Sequence, residues 1–178
     1  MQNPPVIRTA LNYGALSGLG SFIVFLALYF MGINPLGPAS WAGAWVPVVF
    51  MVLSSRHYKY VENGGFLFYW QGFRIGLLTA CSGALVYGVL SWAFVKIADP
   101  GILDAFKQQS LEALEMTEGI MKSMMGEAAY MQSIESINNM HMEDVAASDV
   151  FYKMFGGLLT AFITAAFMRR DPNFTSEE

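Results

Sequence analysis

Charged residues are scarce in this chain. Only 13% of its 178 residues are charged and 54% are apolar, whereas an ordinary soluble domain has about 25% charged and 45–50% apolar residues. Cysteine is scarcer still, because Cys81 stands alone, and this excludes a disulfide framework within the chain. We expect Cys81 to be a small packing residue. The shortage of charge predicts a protein that lies in lipid.

Residues that carry enzyme chemistry are also rare. The two histidines are His57 and His141, and the sequence shows neither a Ser-His pairing nor a Gly-rich phosphate loop. We therefore expect a protein that is not an enzyme and that holds no cofactor. We expect no nucleic-acid partner.

Long uncharged stretches are what the chain has instead. Three of them, at 10–33, 75–95 and 154–168, reach the roughly 20 residues needed to cross a bilayer core, the last when Phe151 and Tyr152 are added. A fourth, at 38–55, is interrupted by Pro47, which membrane helices tolerate. A re-entrant or buried soluble helix is the alternative there, and a cleaved signal peptide is the alternative for the first stretch.

The predicted fold class is an all-α membrane protein with four transmembrane helices, at about 10–33, 38–55, 73–97 and 151–168. The whole chain, 1–178, forms one integral membrane domain, with an insertion at about 98–149 between the third and fourth helices. Asp99-Pro100 predicts a helix start. Apolar residues at helical spacing then predict an acidic amphipathic helix, or a helical hairpin that breaks near 136–139.

Basic residues near the span ends predict the orientation. Six lie on one side of the predicted bundle and four on the other, which favours cytoplasmic N- and C-termini and a periplasmic insertion. The six are Arg8, Arg56, Lys59, Arg74, Arg169 and Arg170, and the four are Lys96, Lys107, Lys122 and Lys153. The aromatic stretch ENGGFLFYWQGFRIG, at 62–76, is interpreted as an interfacial turn with Arg74 as an anchor.

Small residues recur at helical spacing within three of the spans. Such stripes let helices approach closely, so we interpret them as internal packing seams of the bundle, with self-dimerisation as the alternative. They are Gly14 and Gly18 in the first span, Gly72, Gly76, Ala80, Ala84 and Gly88 in the third, and Gly157, Ala161 and Ala165 in the fourth.

Ionisable side chains are missing from the predicted span cores, which argues against proton-coupled transport. Hydroxyls such as Ser82, Ser91 and Thr164 remain, so a path for a neutral solute or a lipid stays open. A polar tunnel along these hydroxyls would favour transport, and a dry, tightly packed bundle would favour a scaffold.

A Met-rich segment of the insertion offers one candidate metal site. Thioether and imidazole groups suit Cu(I), and the candidate ligands are Met121, Met124, Met140, His141 and Met142. Methionine on an apolar helix stripe is more often a flexible packing residue, and this interpretation is favoured, with no metal bound.

Three quoted segments resemble one known family. NGGFLFYWQGFRIGLLTACSGAL, ADPGILDAFKQQSLEALEM and the closing MRR resemble the DUF4199 family of small multi-pass membrane proteins, found mainly in Bacteroidota. The matching positions are Gly64, Gly65, Gln71, Phe73, Gly76 and Asp99-Pro100. The resemblance implies a four-helix protein of the bacterial inner membrane, and it implies no function because the family has none assigned.

The favoured function is a non-enzymatic accessory or scaffold protein that contacts the lipid bilayer and either itself or another membrane protein. A small carrier or channel-like oligomer for a solute or a lipid is the alternative. Copper binding on the periplasmic side is the third hypothesis.

Overall fold

The structure is a computed structural model and describes residues 5–170. Seven α-helices make up most of this part of the chain. They are α1 (Pro5–Phe30), α2 (Trp45–His57), α3 (Tyr69–Ile97), α4 (Gly101–Met116), α5 (Glu118–Met125), α6 (Glu127–Asn138) and α7 (Met142–Met168). A 3₁₀ turn, Pro38–Gly43, precedes α2, and a π-helical turn, Tyr58–Glu62, follows it. Within the described residues there are no β-strands, and one isolated β-bridge joins Leu67 to Arg170.

Four of these segments are long and apolar enough to cross a membrane: Val6–Phe30, Pro38–Glu62, Tyr69–Ile97 and Met142–Met168. The predicted fold class is confirmed, since the protein is all-α with four membrane-spanning helices and further helices between the third and fourth. The fourth helix begins at Met142, nine residues before the predicted 151. The charged residues of 142–150 ended the hydropathy window, but the helix continues through them because they sit among the good helix former alanine.

Many small and hydroxyl-bearing residues are buried where the helices meet, and many large apolar side chains face outward. Ala80, Ala161, Ser54 and Thr79 are buried, whereas outward-facing residues of the same helices are exposed. The exposed ones include Leu19, Ile23, Leu85, Val89, Leu159, Ile163 and Phe167. Lipid removes the hydrophobic drive to bury large side chains, and small residues let helices approach closely. This arrangement therefore fits a bundle that is surrounded by lipid.

One end of the bundle holds the start of α1 and the end of α7, and we call it the inner end; backbone contacts tie it together. Gly64 and Gly65 adopt φ of 60° and 89°, which glycine tolerates best. The chain then pairs Leu67 with Arg170 through two backbone hydrogen bonds of 2.9 Å. The interfacial stretch thus contains a one-residue β-bridge, which depends on a segment more than 100 positions away and so has no local signal.

Helices α4, α5 and α6 form a cap at the opposite end, which we call the outer end. Ile102 and Met142 join Phe25, Tyr87 and Val95 in the hydrophobic cluster beneath the cap. Asp99 caps α4, because its Oδ1 accepts a hydrogen bond from the Gly101 amide at 3.0 Å. The helix itself begins at Gly101, one residue beyond the Pro100 that the sequence favoured.

The cap contains three helices where the sequence predicted one or two. The extra breaks fall at Thr117 and at Gly126, whose φ of 85° ends α5. The predicted break near 136–139 matches the end of α6 at Asn138.

Candidate functional site

The predicted seam residues of α3 and α7 lie directly against one another. A Cβ atom added at Gly157 would lie 2.4 Å from the Cβ of Ala80, and one added at Gly76 would lie 3.2 Å from that of Ala161. Gly72 faces Ala165 in the same way, with a Cβ-to-Cα distance of 3.4 Å. The stripe therefore sets how closely α3 and α7 approach.

A second seam joins α1 to α3. A Cβ at Gly14 would lie 1.7 Å from the Ser82 Oγ, and one at Gly18 would lie 2.7 Å from the carbonyl oxygen of Gly83. Of the remaining predicted residues, Gly88 faces Val150 of α7, where an added Cβ would lie 2.3 Å from Cγ2, and Ala84 is buried.

The hydroxyls that would mark a polar tunnel instead bond within their own helices. Ser82 donates to the Leu78 carbonyl at 2.6 Å, and Ser91 donates to that of Gly88 at 3.1 Å. Thr164 donates to the Thr160 carbonyl at 2.9 Å. Each of these hydroxyls therefore has its hydrogen-bond acceptor within its own helix, as hydroxyls in membrane helices commonly do. This supports a packing role.

A charged pair lies at the outer end of the bundle, where the sequence predicted none. Lys153 of α7 donates a hydrogen bond to Asp149, one turn earlier on the same helix, and its Nζ lies 4.1 Å from the centre of the Tyr87 ring. The Lys153 side chain is 25% exposed and that of Asp149 is 30% exposed. The ammonium group is thus held between a carboxylate and an aromatic face on α3, an arrangement that stabilises a partly desolvated cation.

Two cavities meet at this pair. An upper cavity of about 280 Å³ lies under the cap and is lined by Asp144, Asp149, Phe106 and Met140. A lower groove of about 380 Å³ runs between α2 and α7, past Lys153 to Thr160. Ser40, Asp149 and Tyr152 line both spaces. Together they form what we call the Lys153 site.

The Lys153 site lies toward the cap end of the fourth membrane-spanning segment. Met168, at the inner end of α7, is 15 residues from Lys153, which corresponds to ~22 Å of helix at ~1.5 Å per residue. If Met168 marks one face of a bilayer core that is ~30 Å thick, Lys153 lies within roughly 8 Å of the opposite face. Lys153 therefore lies near the end of the fourth span, where the sequence placed it among the basic residues at span ends, but its pairing with Asp149 and Tyr87 was not predicted. The i, i+4 spacing of Asp149 and Lys153 was the signal that could have found it.

A second polar cluster closes the inner end. Lys59 is 8% exposed, and its Nζ donates to the carbonyl of Met168, the last residue of α7, at 3.1 Å. Thr9 donates to Glu62 at 2.7 Å, and the Nε2 of His57 lies 3.8 Å from the same carboxylate. Lys59, interpreted from sequence as a topological anchor, therefore caps the α7 C-terminus, where a cation is favoured.

The five candidate copper ligands have different surroundings. Met142 is buried in the hydrophobic cluster under the cap, and Met140 lines the upper cavity. Met124 is exposed on α5, Met121 is half-buried on the same helix, and His141 is exposed at the start of α7. In the described part of the chain, no group of three or more His, Cys, Asp or Glu residues is placed to hold a metal ion. Its burial in this cluster gives Met142 a packing role.

Comparison with known families identifies the chain. A family model described as "Protein of unknown function (DUF4199)" matches residues 12–170. The chain belongs to the DUF4199 family. No curated protein and no solved structure matches this DUF4199 protein. Membership and the four apolar helices fit a membrane protein of unknown function.

Proposed function

We propose that this DUF4199 protein is a non-enzymatic accessory protein of the bacterial inner membrane whose cap binds another membrane protein in the periplasm. The six basic residues of the inner end support a cytoplasmic N-terminus and C-terminus. The observation that carries the proposal is an exposed apolar patch on the cap, which we call the Met patch. It consists of Met116, Ile120, Met124 and Met125.

The Met patch is unusually exposed for an apolar surface in water. Met116, Ile120 and Met124 are 86%, 63% and 79% exposed. Ile120 and Met124 are four residues apart and so share one face of α5, and Met116 is the last residue of α4, just before the break at Thr117. Apolar patches outside the membrane mark interaction surfaces, and flexible methionine side chains adapt to the surface of a partner.

The charge around the Met patch indicates the chemistry of the partner. Residues 101–141 carry six carboxylates and two lysines, which accounts for the whole net charge of −4. Lys122 is engaged by Glu118 at 2.8 Å, and its bond to that carboxylate raises the pKa of Lys122 above the ordinary value. The acidic surroundings favour a partner segment that is apolar and basic, such as a cationic amphipathic helix. A second cap would be repelled, and an anionic lipid surface would be repelled for the same reason.

A photo-crosslinking residue placed at Met124 tests the proposal in native membranes. We expect a discrete adduct with another protein, and we expect Glu115→Gln together with Glu118→Gln to weaken it, because exposed charge pairs contribute up to about 1 kcal/mol each. The same crosslinker at Leu159, which faces lipid on α7, is the matched control and should not give that adduct.

The charge dependence distinguishes docking from chance proximity. High salt should reduce the Met124 adduct, because exposed pairs are screened. An adduct that survives both the charge substitutions and high salt would contradict the proposed partner chemistry. An adduct only with a second copy of the protein would replace the accessory function with self-association.

A further inference from the structure

We propose that the Lys153 site binds one phospholipid with a primary-amine headgroup, its ammonium under the cap and its acyl chain in the groove between α2 and α7. The inference does not depend on the partner proposed for the Met patch, because it concerns a different surface. It is carried by the order of charges along α7 and by the shape of the two cavities.

The order of the charges along α7 matches the order of the charges in such a headgroup. Two carboxylates, Asp144 and Asp149, line the upper cavity, and Lys153 follows one turn deeper, on the groove. An ethanolamine headgroup carries its ammonium outermost and its phosphate nearer the acyl chains. The carboxylates therefore face the ammonium, and the Lys153 ammonium faces the phosphate. Bonds between charged partners of this kind are the strong ones in a partly dry site.

The groove below Lys153 suits an acyl chain. Its walls are mostly small or apolar, with Ala44, Pro47 and Val48 on the α2 side and Gly156 and Gly157 on α7. Gly156 has no atom within 4 Å of where its Cβ would lie, so the groove is open along this face. Because the groove faces the surrounding lipid, a chain enters it sideways without leaving the membrane.

Aromatic residues stand at the rim of the groove, at the depth where headgroups begin. Trp41 and Tyr152 line the groove and are both exposed, and Trp and Tyr collect at membrane interfaces. Lys153 lies deeper than these rim residues, and its long flexible side chain can extend toward the level of the headgroups. The site is thus at the right depth for the phosphate of an outer-leaflet lipid.

The net charge of the site separates amine lipids from anionic ones. The two carboxylates and one ammonium of the site give it one excess negative charge, which repels phosphatidylglycerol. Phosphatidylcholine carries a positive charge too, but its methylated nitrogen donates no N–H to Asp144 or Asp149. We therefore expect retention to fall from phosphatidylethanolamine to phosphatidylcholine to phosphatidylglycerol.

Native mass spectrometry of the full-length protein, purified in detergent and titrated with each of these three lipids, tests the proposal. We expect Lys153→Gln to reduce retention of phosphatidylethanolamine by about tenfold, the effect of losing one charged hydrogen bond. Asp149→Asn should shift the preference toward phosphatidylglycerol. Lys96→Gln is the matched control, because Lys96 pairs with Glu143 at the same end of the bundle and does not line the groove.

Variants that keep the charge distinguish the loss of a charge from misfolding. Lys153→Arg and Asp149→Glu should retain the lipid preference of the unaltered protein. Equal retention of all three lipids, or the same retention in Lys153→Gln as in the unaltered protein, would overturn the proposal and leave only annular lipid. Free phosphoethanolamine is the probe for a soluble ligand, and binding as tight as that of the lipid would overturn the assignment of the groove to an acyl chain.

Discussion

The contact between Gly157 and Ala80 gives the sharpest test of how this bundle is held together. Gly157→Ala would place a Cβ 2.4 Å from the Ala80 Cβ, whereas carbon atoms pack at about 3.5–4.0 Å. Helices α3 and α7 would have to separate by more than ~1 Å, and overpacking of this kind costs about 1–3 kcal/mol. We expect the free energy of unfolding to fall by that amount.

Gly156 provides the matched control for this substitution. It neighbours Gly157 on the same helix, and a Cβ added there meets no atom within 4 Å. Gly156→Ala should therefore be neutral or stabilising by up to about 1 kcal/mol, the helix-propensity difference between glycine and alanine. Comparing the two alanine variants removes the contribution of propensity and isolates the packing clash.

The double variant Gly157→Ala with Ala80→Gly moves the methyl group from one helix to the other. The nearest atoms to the new Cβ would then be the Met51 Cε at 3.6 Å and the Cα at position 80 at 3.8 Å, both ordinary contacts. Helix propensity cancels in this double variant, because the alanine gained in α7 offsets the glycine introduced in α3, so we expect the stability to return close to that of the unaltered protein. Unfolding by denaturing detergent in lipid-free micelles measures all four proteins. Equal stability of Gly156→Ala and Gly157→Ala, or no recovery in the double variant, would refute the seam.

Three further measurements concern the two ends of the bundle. Tyr29→Phe removes the hydroxyl that donates to Asp99 at 3.1 Å, and we expect a loss of about 0.5–1.5 kcal/mol in the same unfolding assay; no loss would show that this bond contributes nothing to holding the cap. Lys59→Met leaves the last carbonyl of α7 without its charged donor and should cost about 1.5–3 kcal/mol, whereas Arg56→Met, at an exposed position, should cost little. A topology reporter fused at Glu118 should be active in the periplasm, and cytoplasmic activity would reverse the proposed orientation.

Much of the fold could be predicted from the sequence because lipid imposes simple rules. Uncharged length identified the spans, and the four-residue repeat of Gly72, Gly76 and Ala80 identified a helix face that meets a neighbour. Both signals are local, so a window of about 20 residues contains them. The cap could be predicted as helical for the same reason. The break at Thr117 could not, because no strong stop signal lies there, whereas Gly126 is of the residue type that commonly ends a helix and was overlooked.

The Lys153 site could not be predicted in the same way, because it depends on contacts between distant segments. Ser40 comes from the turn before α2, Tyr87 from α3, and Asp149 from α7. The hydropathy pattern also hid the Lys153 site. The charges of 142–153 ended the apolar window, so Lys153 was assigned to the span edge, and its neighbour Asp149 to the insertion. The Leu67 to Arg170 bridge was missed for a related reason, since one pair of residues leaves no periodicity.

The contrast between the two ends favours binding over passage through the bundle. At the inner end, Lys59 caps α7 and Leu67 pairs with Arg170, so the exit that a carrier would need is occupied by structure. At the outer end, the groove opens toward lipid, and the Gly157 contact that seals α7 against α3 also forms part of the groove. A lipid that moved onward through the bundle would have to break this seam. A lipid that stays in the groove would instead contact α7 beneath the cap, at the same end of the bundle as the Met patch.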